Sequence, residues 1–143
     1  MDYQFKFKKE RVEDGWTLRP KIRAVLSYKN KSKEVITVLD TGSDLNYLPA
    51  EIAEYFELPL SEKVFTAQGA EQQFGYKTSK IYVKLDNPHK SFRKLLTVMV
   101  PVENALHKDI IFGTEFLKHF IVTLNYGKGT IKLSETTPKN KLR

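Results

Sequence analysis

A short, almost continuously apolar run, Val35-Ile36-Thr37-Val38-Leu39, stops abruptly at Asp40-Thr41-Gly42-Ser43-Asp44. A run of that length suits a strand buried on both faces. The carboxylate at its end is what the rest of the chain has to accommodate. A lone ionised Asp is costly to bury, so Asp40 is expected to be paired, hydrogen-bonded or partly protonated. Gly42 lets the backbone approach closely or take a positive φ, and Thr41 can bond to backbone without leaving the turn. A polar cluster at the end of a greasy strand is where a site is expected. The tripeptide alone equally fits an ordinary β-turn closing a hairpin, because Asp and Gly are common there.

Strand signals dominate the remainder. From Leu18 to Tyr28 the even positions Leu18, Ile22, Ala24 and Leu26 form a greasy face and the odd positions Arg19, Lys21 and Arg23 a basic one. Asn30 to Lys33 is a turn candidate, and Pro49 to Phe56 a short helix with Pro in its first turn. Val64 to Tyr76 reads as a hairpin with Ala67-Gln68-Gly69-Ala70 at its tip, where Gly69 supplies a positive φ. Ile81 to Leu85 and Leu95 to Val100 are further strands, with Asn87 to Arg93 as a loop between them. Ile110-Ile111-Phe112 runs into Gly113, followed by one or two helical turns over Thr114 to Phe120. Ile121 to Asn125 and Thr130 to Ser134 flank a final hairpin turn. The chain is therefore expected to be mainly β with one or two short helices.

Composition removes several chemistries. The 143 residues suit one domain. The absence of cysteine excludes disulfides, Cys-type zinc sites and a thiol nucleophile. His89, His107 and His119 lack metal-ligand spacing, so no metal and no cofactor is expected. No apolar run approaches the roughly 18 residues of a membrane span, and Met1 to Arg11 has no signal-peptide core. Neither membrane nor secretion is expected, and an intracellular or virion-associated location is favoured. The net charge of +7 is concentrated in Lys6 to Arg11, Arg19 to Lys33 and Lys139 to Arg143. Nonspecific nucleic-acid contact is compatible with that excess, but solvated strand faces and tails are the preferred explanation.

Val38 to Asp44, together with Ile110-Ile111-Phe112-Gly113-Thr114-Glu115-Phe116-Leu117, Val122 to Tyr126 and the hairpin around Gln68-Gly69, resembles the retropepsin-like aspartic proteases of retroviruses, plant pararetroviruses and retrotransposons. The resemblance spans about Leu18 to Tyr126, with residues 1–15 and 127–143 as extensions of a single domain. It implies a closed β-sheet domain with a flap hairpin, acting as a symmetric dimer. It also implies that Asp40 is the catalytic carboxylate, with Thr41 gripping across subunits and Gly42 completing the turn. Ser43, Asp44, Ala67, Gln68, Gly69, Ala70 and Ile111 would face the substrate. Thr114 stands where many retroviral members carry an Arg that supports the loop, so that support is absent or comes from elsewhere.

Aspartic proteolysis needs two carboxylates sharing a proton around one water. One activates the water and the other donates to the scissile carbonyl. With one Asp-Thr-Gly in 143 residues, the second carboxylate must come from a second copy, placing the site on a two-fold axis. The expected function is an aspartic endopeptidase acting on its element's own polyprotein. The alternative is a non-proteolytic retropepsin-like dimer that binds peptide or nucleic acid through the basic face. Ser43 is further expected to donate a hydrogen bond to the Asp40 carboxylate and so favour activity at acidic pH.

Overall fold

The computed structural model describes residues 2–68, 73–86, 91–103 and 108–136. In chain order the elements are β1 (Asp2–Lys6), β2 (Lys8–Val12), β3 (Gly15–Arg19), β4 (Lys21–Tyr28), β5 (Lys31–Leu39), β6 (Asn46–Tyr47) and α1 (Ala50–Phe56). They continue with β7 (Phe65–Gln68), β8 (Gln73–Asp86), β9 (Ser91–Pro101), β10 (Ile110–Phe112), α2 (Thr114–Leu117), β11 (Phe120–Asn125) and β12 (Thr130–Glu135). The fold is mainly β, as expected, with two short helices.

The main sheet runs β4-β5-β10-β6-β9-β8-β7, and β4 also pairs with β8. That extra pairing closes six strands into a barrel-like ring and removes the open edges a flat sheet would leave. The long strand β8 makes the closure possible. Its first residues pair with β7, from Gln68↔Gln73 to Phe65↔Tyr76. Its later residues pair with β4 at Val25↔Lys84 and Leu26↔Val83. The second arm of the expected hairpin and the strand through Ile81 to Leu85 are thus one element. Ile81, Val83 and Leu85 are buried, because alternate side chains point into the ring.

Several sequence expectations are corrected. Pro20, which has no N–H for a ladder, separates β3 from β4, so the alternation from Leu18 spans two strands. Ile22, Ala24 and Leu26 are core residues while Leu18 is exposed. The β4–β5 turn falls at Lys29-Asn30, with Lys29 at φ 54°, and β5 begins at Lys31. Within β5, Val35, Thr37, Val38 and Leu39 are buried, but Ile36 is 42% exposed; only the end of the strand, where β10 joins it, is covered on both faces.

The described parts of both extensions, residues 2–15 and 127–136, are structural. β1 pairs with β12 from Asp2↔Ser134 to Lys6↔Thr130, and β12 pairs with β11, giving a three-stranded sheet ordered β1-β12-β11. Tyr3, Phe7, Ile131 and Leu133 join the same hydrophobic cluster as the barrel residues. β2 and β3 form a separate two-stranded ribbon.

Candidate active site

β5 ends at Leu39, whose N–H donates to the Pro20 carbonyl at 2.9 Å, and the next N–H, that of Asp40, donates to the Phe112 carbonyl at 2.9 Å. β10 lies parallel to this strand end, with Ile111 opposite Val38 and Phe112 opposite Leu39. On its other side Ile111 faces Tyr47 of β6. Asp40 to Ser43 then forms a tight turn, closed by the Ser43 N–H on the Asp40 carbonyl at 3.2 Å. The Asp40 side chain folds back so that Oδ1 accepts the Gly42 N–H at 2.8 Å. A Cβ on Gly42 would sit 3.2 Å from that oxygen. Close approach is what the position demands, and its φ is not in the left-handed region.

Asp40 is exposed, as are Thr41 and Gly42. Asp40 is hydrogen-bonded, one of the outcomes expected of it, but it is exposed in the single chain rather than buried: the apolar strand delivers it to the surface. Oδ1 is oriented by one backbone N–H, and Oδ2 has no hydrogen-bond partner among the described residues. The side chains of Thr41 and Asp44 likewise make no hydrogen bond or ion pair among the described residues. Three polar groups thus stand together on one exposed turn.

What holds the turn is a crossing of two chain segments. Gly113 passes directly beneath residues 43–45. A Cβ there would lie 2.6 Å from the Leu45 carbonyl oxygen and closer still to that of Ser43, so only glycine fits. Just beyond, the Thr114 N–H donates to Ser43 O at 2.8 Å and the Glu115 N–H to Asp44 O at 3.1 Å. The Thr114 hydroxyl donates to Asp44 O at 3.2 Å. Asn46, with 0% exposure, completes the lock. Its Oδ1 accepts the Gly113 N–H at 3.0 Å. Its Nδ2 donates to Thr97 O at 3.0 Å and to Glu115 Oε1 at 2.6 Å. Asn46, Thr114 and Glu115 thus hold the turn through side-chain hydrogen bonds. Neither Asn46 nor Glu115 was singled out from sequence; an isolated Asn between Leu45 and Tyr47-Leu48 was the available signal.

The crossing is pinned from below by aromatic packing. Phe112 and Phe116 flank Gly113, their ring centroids 4.5 Å apart. Phe116 meets Phe120 at 5.2 Å and Phe92 meets Phe120 at 4.7 Å. All four rings are buried, and truncating a buried Phe costs about 3–5 kcal/mol.

The remaining expected residues separate. The Ser43 hydroxyl donates to Leu45 O at 2.7 Å, not to Asp40, because the turn brings that carbonyl within reach. Ile111 is half-buried, in the same strand as Phe112. Ala67 and Gln68 sit in β7, paired with Phe74 and Gln73, rather than at the hairpin tip. Gly69 and Ala70 lie outside the described residues. Among the described residues no group of three or more His, Cys, Asp or Glu is placed to hold a metal ion.

No protein-family model matches the sequence, and no curated protein matches it. The fold matches the crystal structure of a retropepsin-like aspartic protease from Rickettsia conorii with a TM-score of 0.61 and 19% identity, over 93% of this chain and 98% of that one. A fainter likeness, to EIAV protease complexed with the inhibitor HBY-793, has a TM-score of 0.47 and 14% identity, over 70% of this chain and 86% of that one. The chain has the retropepsin-like fold, the architecture of a class of aspartic proteases.

Proposed function

We propose that the chain is an aspartic endopeptidase whose site forms when two copies bring their Asp40 carboxylates together. The observation that carries this reading is the Asp40 turn itself: an exposed carboxylate with one oxygen oriented and the other uncommitted, on a loop locked by buried hydrogen bonds. A functional group needs such a rigid mount to keep its geometry. Two carboxylates about 3 Å apart cannot both ionise, so the pair shares a proton. One carboxylate takes a proton from the water that attacks the peptide carbonyl, and the other donates to the carbonyl oxygen. In this reading the exposed Thr41 side chain grips the partner copy and that of Asp44 binds substrate backbone.

The substrate class follows from the resemblance: a polypeptide, with the element's own polyprotein and the flanks of this domain as first candidates. The Rickettsia neighbour comes from a cellular organism, so the fold by itself does not favour a viral source over a cellular one. The test is incubation of an N- and C-terminally extended precursor, and of a mixed peptide library, with native chain and Asp40→Ala. The variant is expected to stay folded and lose cleavage. Cleavage by Asp40→Ala at a comparable rate overturns the assignment.

A non-proteolytic binding role has one observation in its favour. A groove of about 430 Å³ between β1–β2 and β4–β8 is lined by Lys6, Lys8, Lys21, Arg23 and Lys84 against Glu34 and Asp86. That cationic excess suits a polyanion. Salt-dependent binding of a single-stranded oligonucleotide without any peptide cleavage would favour this role over the first.

A further inference from the structure

The ribbon of β2 and β3 carries an exposed aromatic and cationic face that the protease reading does not use. Arg11 lies opposite Trp16 and Lys9 opposite Leu18, so these four side chains share one face. Trp16, the only tryptophan in the chain, is 59% exposed, and Leu18 is 42% exposed. Lys9 Nζ lies 5.0 Å from the Trp16 ring centroid and Arg11 Cζ 5.8 Å from it. The ribbon's acid is on the other face, where Glu10 is paired with Arg19 and Lys21. The Trp16 face runs on to the turn between β11 and β12. A Cβ on Gly129 would sit 3.4 Å from Leu18 Cδ1. Tyr126, 61% exposed, packs edge-on against Phe7 at 4.8 Å, with Lys128 in the same turn. Single exposed apolar side chains are ordinary on a surface. A tryptophan, a leucine and a tyrosine gathered in one patch with cations at its border mark a site of contact.

We infer that this face binds the surface of an anionic lipid bilayer, as a peripheral contact that needs no membrane-spanning run. Tryptophan and tyrosine settle at headgroup level, because each ring has an apolar body and a polar edge. Leu18 enters the acyl boundary beside them. Lys9 and Arg11 lay their stems along the apolar surface and keep their charges among the anionic headgroups. Glu13 and Asp14 occupy the turn between β2 and β3, so the ribbon lies flat on its Trp16 face and does not enter tip first. A single-stranded nucleic acid suits the face less well. Its bases stack on bare rings, whereas Trp16 shares its ring with two cations, and a phosphate chain has no use for the aliphatic Leu18. Neither Lys9, Arg11 nor Trp16 lines the cationic groove, so the two surfaces can be separated by substitution.

Because Trp16 is the sole tryptophan, its emission reports on this patch alone. Vesicles of phosphatidylcholine with phosphatidylserine are expected to shift the emission of the full chain to the blue and shield it from an aqueous quencher. Vesicles of phosphatidylcholine alone are expected to do neither. In co-sedimentation with the mixed vesicles, Trp16→Ser and the double variant Lys9→Gln with Arg11→Gln are each expected to weaken binding on the order of tenfold, with unchanged circular dichroism spectra. Arg23→Gln with Lys84→Gln, which takes the same charge from the groove, is expected to bind as native chain does, and so is Asp40→Ala. Emission indifferent to the mixed vesicles, or binding that the groove variant weakens as much as the Lys9 and Arg11 variant, overturns the inference. So does a blue shift that a single-stranded oligonucleotide produces and vesicles do not, which makes nucleic acid the occupant. A blue shift that grows with protein concentration in the absence of lipid overturns it as well, because a second copy then covers the face.

Discussion

Asn46→Ala probes the support of the Asp40 turn most directly. Asn46 is fully buried and uses both ends of its amide. Truncation removes the acceptor of the buried Gly113 N–H, and the loss of a partner for a buried polar group costs about 1–3 kcal/mol. It also removes the donor to Thr97 O and the 2.6 Å charge-assisted bond to Glu115. Allowing for water entering the space left behind, the net loss is about 3 kcal/mol. With a urea slope of about 2 kcal/mol/M for a domain of this size, the midpoint falls by about 1.5 M. Activity should fall further than stability alone dictates, since a displacement of about 1 Å at a catalytic group costs on the order of a hundredfold. Asn46→Asp separates geometry from chemistry. It keeps the shape and the acceptor for Gly113 but sets a second carboxylate against Glu115. Glu115→Gln in that background restores a donor, and is expected to recover much of the loss. Equilibrium urea unfolding and kcat/KM on one peptide measure both effects. A midpoint for Asn46→Ala within about 0.3 M of native, or a double variant no better than Asn46→Asp, would refute the view that this amide holds the turn.

Gly113→Ala should be at least as damaging, about 3 kcal/mol with loss of cleavage, because the new Cβ meets backbone oxygens that cannot yield; a fully active, equally stable variant would mean the crossing is looser than it stands here. Ser43→Ala is expected to cost about 1 kcal/mol through the lost bond to Leu45 O, yet leave the pH profile of kcat/KM superimposable on native. A shift of both limbs would mean that the hydroxyl reaches Asp40 after all. Tyr3 has its phenol pushed up from 10.0 to about 12, first by burial and then by the Glu135 carboxylate beside it. The folded protein keeps a proton there that the unfolded chain releases, so stability should decline as pH rises from 10 towards 12; Tyr3→Phe should flatten that part of the urea-midpoint profile, and an unchanged slope would count against the linkage.

The barrel strands were legible where one face meets the core. Ile22, Ala24 and Leu26, or Ile81, Val83 and Leu85, alternate because the pleat alternates, and no partner need be known to see it. The site turn was legible only because Asp40-Thr41-Gly42 and Ile110 to Gly113 occur together, since each alone fits an ordinary turn or strand end. Features that depend on distant partners did not show. Pro20 breaks a face that period alone carries through. Thr37 is buried because β10, far along the chain, lies against it. The terminal extensions read as surplus because nothing in Asp2 to Lys6 announces Thr130 to Ser134 as its ladder.

Asn46 is the most instructive of these non-local features. Its three hydrogen bonds end on Thr97, Gly113 and Glu115, which belong to β9, to the crossing and to α2, so no local pattern encodes them. Only the folded crossing explains why an amide suffices. Gly113 brings the two backbones so near that Thr114 N and Ser43 O are 2.8 Å apart, leaving a gap that a side chain as short as Asn spans. Glu115 then supplies, from its own side chain, the charge that makes one of the bonds short. The rigidity of the Asp40 turn follows from the missing Cβ at Gly113, because closeness of the backbones is what lets short, neutral groups do the holding. An arginine at position 114 would lose the hydroxyl bond from Thr114 to Asp44 O and bring a cation towards a Glu115 carboxylate already engaged by Asn46. Thr114→Arg should therefore weaken the turn unless Asn46 is changed with it.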